Sequence, residues 1–229
     1  MTERVLTGRR IIVLGGGGAL GRAVVERLTA DGASVLAADS RLPAQAERHP
    51  GVDHATVDAL DEASVSAVLA SSPPPQAVIN VIGGYTPPQS LAELDVDVLR
   101  QQLEVNLVTA AIVTKHALPV LGAQGGGAVV HVSSRVAVQN GENSFAYSVS
   151  KLGVLRLVEA ACAEGREHGI RVNCILPSII DTAANRAALP KAMHHLWPKP
   201  AELAAVLAFL VSDDAALISG AAIPVYGRV

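Results

Sequence analysis

Short apolar runs and longer helical patterns take turns from one end of this chain to the other, and few architectures accommodate that order. The runs that read as strands are RIIVLG, SVLAAD, VDHATVD, AVINVIGG, GAVVHVSS, RVNCILP and AAIPVYG. Between them lie helical patterns over Ala19 to Ala30, DEASVSAVLASS, Asp97 to Leu118, Phe145 to His168 and Ala201 to Ser212. Strands that return parallel to one another need crossovers long enough to hold a helix, so this alternation predicts a parallel sheet with helices on both faces. AVINVIGG is almost continuously apolar, which suits a strand covered on both sides. Asp31-Gly32 closes the first helix and Pro73-Pro74-Pro75 the second. The expected fold is α/β, a doubly wound, seven-stranded parallel sheet in one domain over residues 1–229.

Hydrophobic residues make up 50% of the 229, enough for a sizeable core, but aromatics are 3%, so Ala, Val and Leu must fill it. A formal net charge of -3 argues against a nucleic-acid groove, which needs clustered Lys and Arg. The two cysteines, Cys162 and Cys174, sit inside apolar runs and read as buried, reduced thiols. No apolar stretch approaches the roughly 20 residues of a membrane span. MTERVLTGRR lacks the apolar centre of a signal peptide. The expectation is a cytoplasmic protein with neither nucleic acid nor membrane as a partner.

Four consecutive glycines follow the first strand in VLGGGGALG. Glycine is costly inside regular elements, so the run needs a backbone reason. A glycine turn between a first strand and a first helix suits a dinucleotide, because backbone N–H groups and the helix N-terminus can meet a pyrophosphate. The run fits G-x-G-x-x-G as Gly16, Gly18 and Gly21, and equally G-x-x-x-G/A-x-G as Gly15, Ala19 and Gly21. A tight packing turn would use the same residues. An acid about 20 positions on should bind the adenosine ribose. Asp39 ends the second strand, 18 residues after Gly21 (39 − 21). Its carboxylate would bond the ribose hydroxyls and repel a 2′-phosphate, so NAD is the expected cofactor, with NADP possible.

SSRVAVQNGENSFAYSVSK carries the chemistry. Tyr147 and Lys151, at i and i+4, share a helix face. Ser134 lies at a strand end 13 residues before Tyr147, and Asn106 on the preceding long helix. These four can gather at the carboxyl end of the sheet, where such sheets bind ligands. Free tyrosine titrates near 10. A lysine ammonium and an oxidised nicotinamide would favour the phenolate and lower that value. Such a tyrosine can exchange the proton of a carbonyl/alcohol pair, with Ser134 bonding the same oxygen.

With these residues in place the whole chain resembles a short-chain dehydrogenase/reductase, a family built on the Rossmann fold. The resemblance implies Tyr147 as acid/base, Ser134 as carbonyl-orienting group, and Lys151 as ribose anchor. Asn106, in EVNLVTA, would hold a proton-relay water. It implies a cofactor site of Gly15, Gly17, Gly18, Ala19, Leu20 and Gly21, with Asp39, Asp58 and Ala59 at the adenosine end. Asn80 is expected in the same site, and Pro177, Ile180 and Thr182 would join Tyr147 and Lys151 at the nicotinamide. A homo-oligomer is implied, a tetramer or dimer, paired through the two long helices. Leu14, Ala19, Ser178 and the NVIG stretch depart from the family's usual residues.

GGGGALG, NVIGGYTPP and DTAANRAALP also resemble the dihydropteridine-reductase-like branch. The expected activity is hydride transfer between a nicotinamide cofactor and a small-molecule carbonyl or secondary alcohol. An NADH-dependent quinonoid dihydropteridine reductase and a non-catalytic dinucleotide sensor are the alternatives. The substrate pocket would be walled by Tyr85, residues 136–145 and the loop from Ala183 to Trp197. His194-His195 has no companion ligands in the sequence and reads as a solvated loop, not a metal site.

Overall fold

A computed structural model describes residues 5–42, 44, 48–139 and 141–229, and its centre is a seven-stranded sheet in the order β3-β2-β1-β4-β5-β6-β7. The strands are β1 (Arg10–Leu14), β2 (Ser34–Asp39), β3 (Asp53–Thr56), β4 (Ala77–Asn80), β5 (Gly127–Val132), β6 (Ile170–Pro177) and β7 (Ala222–Val225). Every neighbouring pair is parallel. The helices are α1 (Ala19–Ala30), α2 (Glu62–Leu69), α3 (Val96–Leu103), α4 (Thr109–Gly122), α5 (Phe145–Gly165), α6 (Ala183–Ala188) and α7 (Pro200–Val211).

Strand periodicity divides the core in two. Ile11 and Val13 of β1 face one cluster, closed by Val24 and Leu28 of α1 and Leu203, Leu207 and Leu210 of α7. Ile12 and Leu14 face the other, closed by Val65 of α2, Val113 and Leu121 of α4 and Val158 of α5. All five residues of β1 are buried, as a strand covered on both faces requires. Each fully buried Val, Leu or Ile contributes roughly 1.5–3 kcal/mol, so aliphatic packing offsets the scarcity of aromatics.

The order reverses between β1 and β4, which opens a crevice at their carboxyl ends. The chain leaving β4 there is not strand beyond Asn80, so AVINVIGG is half strand and half loop. Its loop half passes the glycine turn at close range: a Cβ on Gly15 would stand 3.0 Å from Val81 Cγ2 and 3.1 Å from Ile82 N.

The helix expected over Asp97 to Leu118 departs from expectation twice. It runs on through Pro119 to Gly122. Proline removes the bond to the carbonyl four residues back, and here that residue, Lys115, is exposed and open to water. The helix also contains a π-turn over Glu104–Val108, closed by Thr109 N–H on Glu104 O. The stretch Val96–Gly122 is long and apolar enough to cross a membrane by length and composition, which corrects the expectation that no segment comes close. Here Ile112, Val113, Ala117 and Leu121 pack into the core.

Candidate active site

The crevice begins at the glycine turn. Gly15 takes φ +85°, a left-handed conformation that side chains resist. A Cβ on Gly21 would collide with the Gly15 carbonyl, so α1 can approach β1 this closely only without one. Gly16 presses on Ala37, where a Cβ would lie 2.9 Å from its neighbour's. The case of Gly18 differs: the nearest atom to a Cβ there would be 3.6 Å away. Gly18 and Ala19 are exposed, α1 begins with no side-chain cap, and its first turn carries no acid. An uncapped N-terminus beside bare backbone fits a diphosphate.

Asp39 closes one side of that cradle. Its Oδ2 accepts from Gly17 N–H at 2.9 Å, and Oδ1 lies 3.4 Å from the Ser40 hydroxyl. One oxygen thus serves the turn, and the residue still lines the pocket where a ribose would lie. Gly17, Gly18, Arg22, Asp39, Arg41 and Leu42 line an open pocket. Arg22 donates to Gly17 O at 2.9 Å, a placement that the sequence reading missed. Asp58 and Ala59 follow β3 beside Asp39, whose carbonyl accepts from Val57 N–H at 3.0 Å. Asp58 Oδ1 accepts from Leu60 N–H at 3.0 Å and is exposed.

Asn80 is buried at the end of β4, where its Oδ1 accepts from Ile82 N–H at 3.1 Å. Its Nδ2 lies 3.3 Å from His131 Nδ1, and His131 Nε2 lies 2.9 Å from Thr114 Oγ1. Thr114 donates its own proton to Ala110 O. His131 therefore carries its proton on Nε2 and accepts from Asn80. Burial first, then the nearby Lys151 charge, lowers the His131 pKa to about 4 and keeps it neutral.

The π-turn turns Asn106 inward until it is 1% exposed. Its Oδ1 accepts from Gly84 N–H and its Nδ2 donates to Gly84 O, both at 3.0 Å. Nδ2 also meets Gln102 Oε1 at 3.2 Å and Ser150 Oγ at 3.1 Å. Asn106 thus grips the loop after β4 and ties it to α5. A π-turn inside an α-helix often marks a functional position. No periodicity in the sequence shows one.

Lys151 is buried in α5, and its Nζ donates to Val132 O at 3.0 Å. Ser133 donates to Lys151 O at 2.8 Å, which couples the end of β5 to α5. Desolvation lowers the Lys151 pKa to about 8. Tyr147 has its ring centroid 5.9 Å from Lys151 Nζ, and Ser134 is within hydrogen-bonding reach of its hydroxyl. The lowering of the Tyr147 pKa expected from Lys151 does not hold for the chain alone. Burial raises it first, Ser134 pulls it back, and nearby Tyr85 raises it further. The Lys151 ammonium stands 5.9 Å from the ring centroid and is directed to Val132 O.

At the far side Pro177 ends β6, and Ile180 packs on the same core cluster as Leu20, Val81 and Val132. Thr182 caps α6, accepting from Asn185 N–H at 3.2 Å. In the following loop Trp197 is buried and His194 packs on it, with His194 Nε2 2.7 Å from Leu189 O. Trp197 therefore pins the loop, whereas Met193 is exposed. Tyr226 packs under Arg135, 5.1 Å from guanidinium to ring centroid. Of the expected wall 136–145, residue 140 lies outside the described residues.

The glycine turn lies at the crevice, with Tyr147 and Ser134 after β5 and Lys151 and Asn106 buried behind them; comparisons with known proteins bear on the family and the fold. A family model described as Enoyl-(Acyl carrier protein) reductase matches residues 17–227. The chain is 33% identical to the cis-4-hydroxycyclohexanecarboxylate dehydrogenase of Sinomonas cyclohexanicum, over 96% of this chain and 95% of that protein. It is 32% identical to the human (3R)-3-hydroxyacyl-CoA dehydrogenase, over 94% and 93% respectively. Among solved structures, a short-chain type dehydrogenase/reductase from Mycobacterium ulcerans superposes with a TM-score of 0.87 at 25% identity, covering 97% of this chain and 90% of that one.

Proposed function

The chain belongs to the short-chain dehydrogenase/reductase family and is an NAD(P)-dependent oxidoreductase of carbonyl/alcohol pairs; from that premise we propose that Tyr147, Ser134, Lys151 and Asn106 are its working residues. The convergence of these four beside the glycine turn carries the reading. When bound, the nicotinamide supplies or takes the hydride. Tyr147 exchanges the proton with the substrate oxygen, and Ser134 bonds that same oxygen. Lys151 holds the ribose. Asn106 fixes the loop after β4 and anchors a relay water. Gly15, Gly17, Gly18, Ala19, Leu20 and Gly21 seat the diphosphate, with Asp39, Asp58 and Ala59 at the adenosine. Asn80, Pro177, Ile180 and Thr182 complete the nicotinamide end. The substrate is a secondary alcohol or its ketone. A panel that includes cyclic hydroxycarboxylates and 3-hydroxyacyl thioesters, followed by NADH absorbance, tests this. Cofactor binding without turnover on any member would overturn it.

NADH is the preferred cofactor in this reading, because Asp39 meets the 2′ position with negative charge. Arg22 and Arg41 line the same pocket and would welcome a phosphate once that charge is gone. Asp39→Asn keeps an oxygen for Gly17 N–H and removes the charge. It is expected to shift the kcat/KM ratio towards NADPH by about tenfold or more, the size of an interaction worth roughly 1.4 kcal/mol. A wild-type preference for NADPH, or an unmoved ratio in the variant, would remove Asp39 as selector.

The protein also reads as a homo-oligomer, a tetramer or dimer. Val108 beside α4 and Leu152 of α5 are each 40% exposed. Only 39% of the apolar window in Val96–Gly122 is buried within one chain. A second copy would cover that face, and light scattering that gives a monomer at micromolar concentration would count against it. The free, buried thiols Cys162 and Cys174 suit the cytoplasm.

A further inference from the structure

Tyr85 is 62% exposed, yet its ring meets that of Tyr147 edge-on, with centroids 5.1 Å apart and planes at 88°. An exposed aromatic on a loop needs something to keep it there. Two anchors do so. Gly84, the residue before it, is held through both N–H and C=O by Asn106. Farther along the loop, Gln89 N–H donates to Asn143 O at 2.9 Å. Asn143 itself sits at φ 58°, a backbone conformation uncommon outside glycine. The loop is thus pinned to α3–α4 at one end and to the lead-in of α5 at the other. Beside this loop Tyr85 and Tyr147 share a narrow gap of about 10 Å³, the room of a single water, which Thr86, Gln89, Asn143 and Ser144 also line.

We propose that Tyr85 is a positioning residue, whose ring holds Tyr147 edge-on for proton transfer. This rests on the reading of Tyr147 as the proton-transfer group. Edge-to-face contact places the positive rim of one ring on the negative face of the other, a directional preference that fixes ring orientation. Tyr147 turns about two side-chain bonds, and small errors in placing a catalytic group are costly: about 1 Å can cost roughly 10²-fold in rate. The groups that face Tyr147 are Ser134 after β5, Lys151 on its own helix and Tyr85 on the loop. Of these, Tyr85 is the aromatic ring that meets Tyr147 edge-on.

The test compares Tyr85→Phe and Tyr85→Ala with wild type by steady-state kinetics, NADH titration and carbon-13 NMR of labelled tyrosine rings. Tyr85→Phe keeps the edge-on ring and should retain kcat within about twofold, whereas Tyr85→Ala should lose about tenfold or more, within the range set by misplacement. NADH affinity should stay unchanged in both. In the NMR titration, run without substrate, Tyr147 should ionise at lower pH in Tyr85→Phe, because a neighbouring phenolate no longer opposes it. Full kcat in Tyr85→Ala, or equal losses in both variants, would overturn the proposal. An inactive wild type would sink the functional reading separately. The NMR titration would then still decide whether Tyr85 faces Tyr147, an unmoved midpoint counting against it.

Discussion

Tyr147→Phe is expected to lower kcat by about 10²–10⁴ while leaving NADH affinity within about twofold, the size of loss that follows removal of one positioned general acid. The substitution removes one oxygen and keeps the ring that packs against Tyr85 at 5.1 Å, so the fold should survive. The cofactor contacts proposed at the glycine turn, Asp39 and Lys151 are untouched. In the free enzyme, burial raises the Tyr147 pKa above its usual value, so the neutral phenol is the resting form at pH 7. That state is poised to donate, which is the form that carbonyl reduction uses. Oxidation of the alcohol needs the phenolate and should accelerate as pH rises. Fluorescence titration of NADH beside kinetics on a ketone checks both parts. Retention of more than about a tenth of wild-type turnover would mean that another group supplies the proton.

The sheet was legible because its evidence is local: each strand is a short aliphatic run, and β1 is buried along its whole length. The glycine turn was legible for a similar reason, since Gly15 and Gly21 answer to backbone geometry that glycine alone satisfies. Boundaries fared worse where tertiary contacts decide. Pro119 is an apparent stop that the helix passes, at a turn where Lys115, whose carbonyl it orphans, is exposed. The π-turn at Asn106 exists because that side chain bonds Gly84 on both sides, a contact between residues 22 apart that no periodicity reveals. Charge was the least legible property. A lysine ammonium and an oxidised nicotinamide are expected to lower the Tyr147 pKa, yet in the chain alone burial raises it and outweighs the Ser134 hydrogen bond. Arg22 was passed over because a helical arginine next to a glycine turn looks like any solvated side chain until its bond to Gly17 O is seen.

Lys151→Met should separate stability from function. The lysine is 4% exposed, and desolvation lowers its pKa from 10.5 to about 8. Between those two values the unfolded chain holds a proton that the folded chain has released, so stability rises with pH across that window. Below pH 8 both states hold the proton, and the whole cost of burying the ammonium is present. That cost is roughly 3 kcal/mol from the size of the pKa change. Methionine fills similar volume without the charge, but it leaves Val132 O without its 3.0 Å donor. An acceptor stranded in this way costs about 1–3 kcal/mol. The two effects leave a variant as stable as wild type at pH 7, or more stable by up to about 2 kcal/mol. The usual loss of a buried hydrogen bond would go the other way. Its melting temperature should also lose the wild-type rise between pH 8 and 10. Activity should fall severely, with weaker NADH binding, because the same ammonium is assigned to the ribose. A variant that melts well below wild type at pH 7 would show that Lys151 is a structural tie. A stable variant with intact NADH affinity would remove it from the cofactor site. Stable, cofactor-weak and slow is the combination that a residue kept for chemistry against the interest of the fold should give.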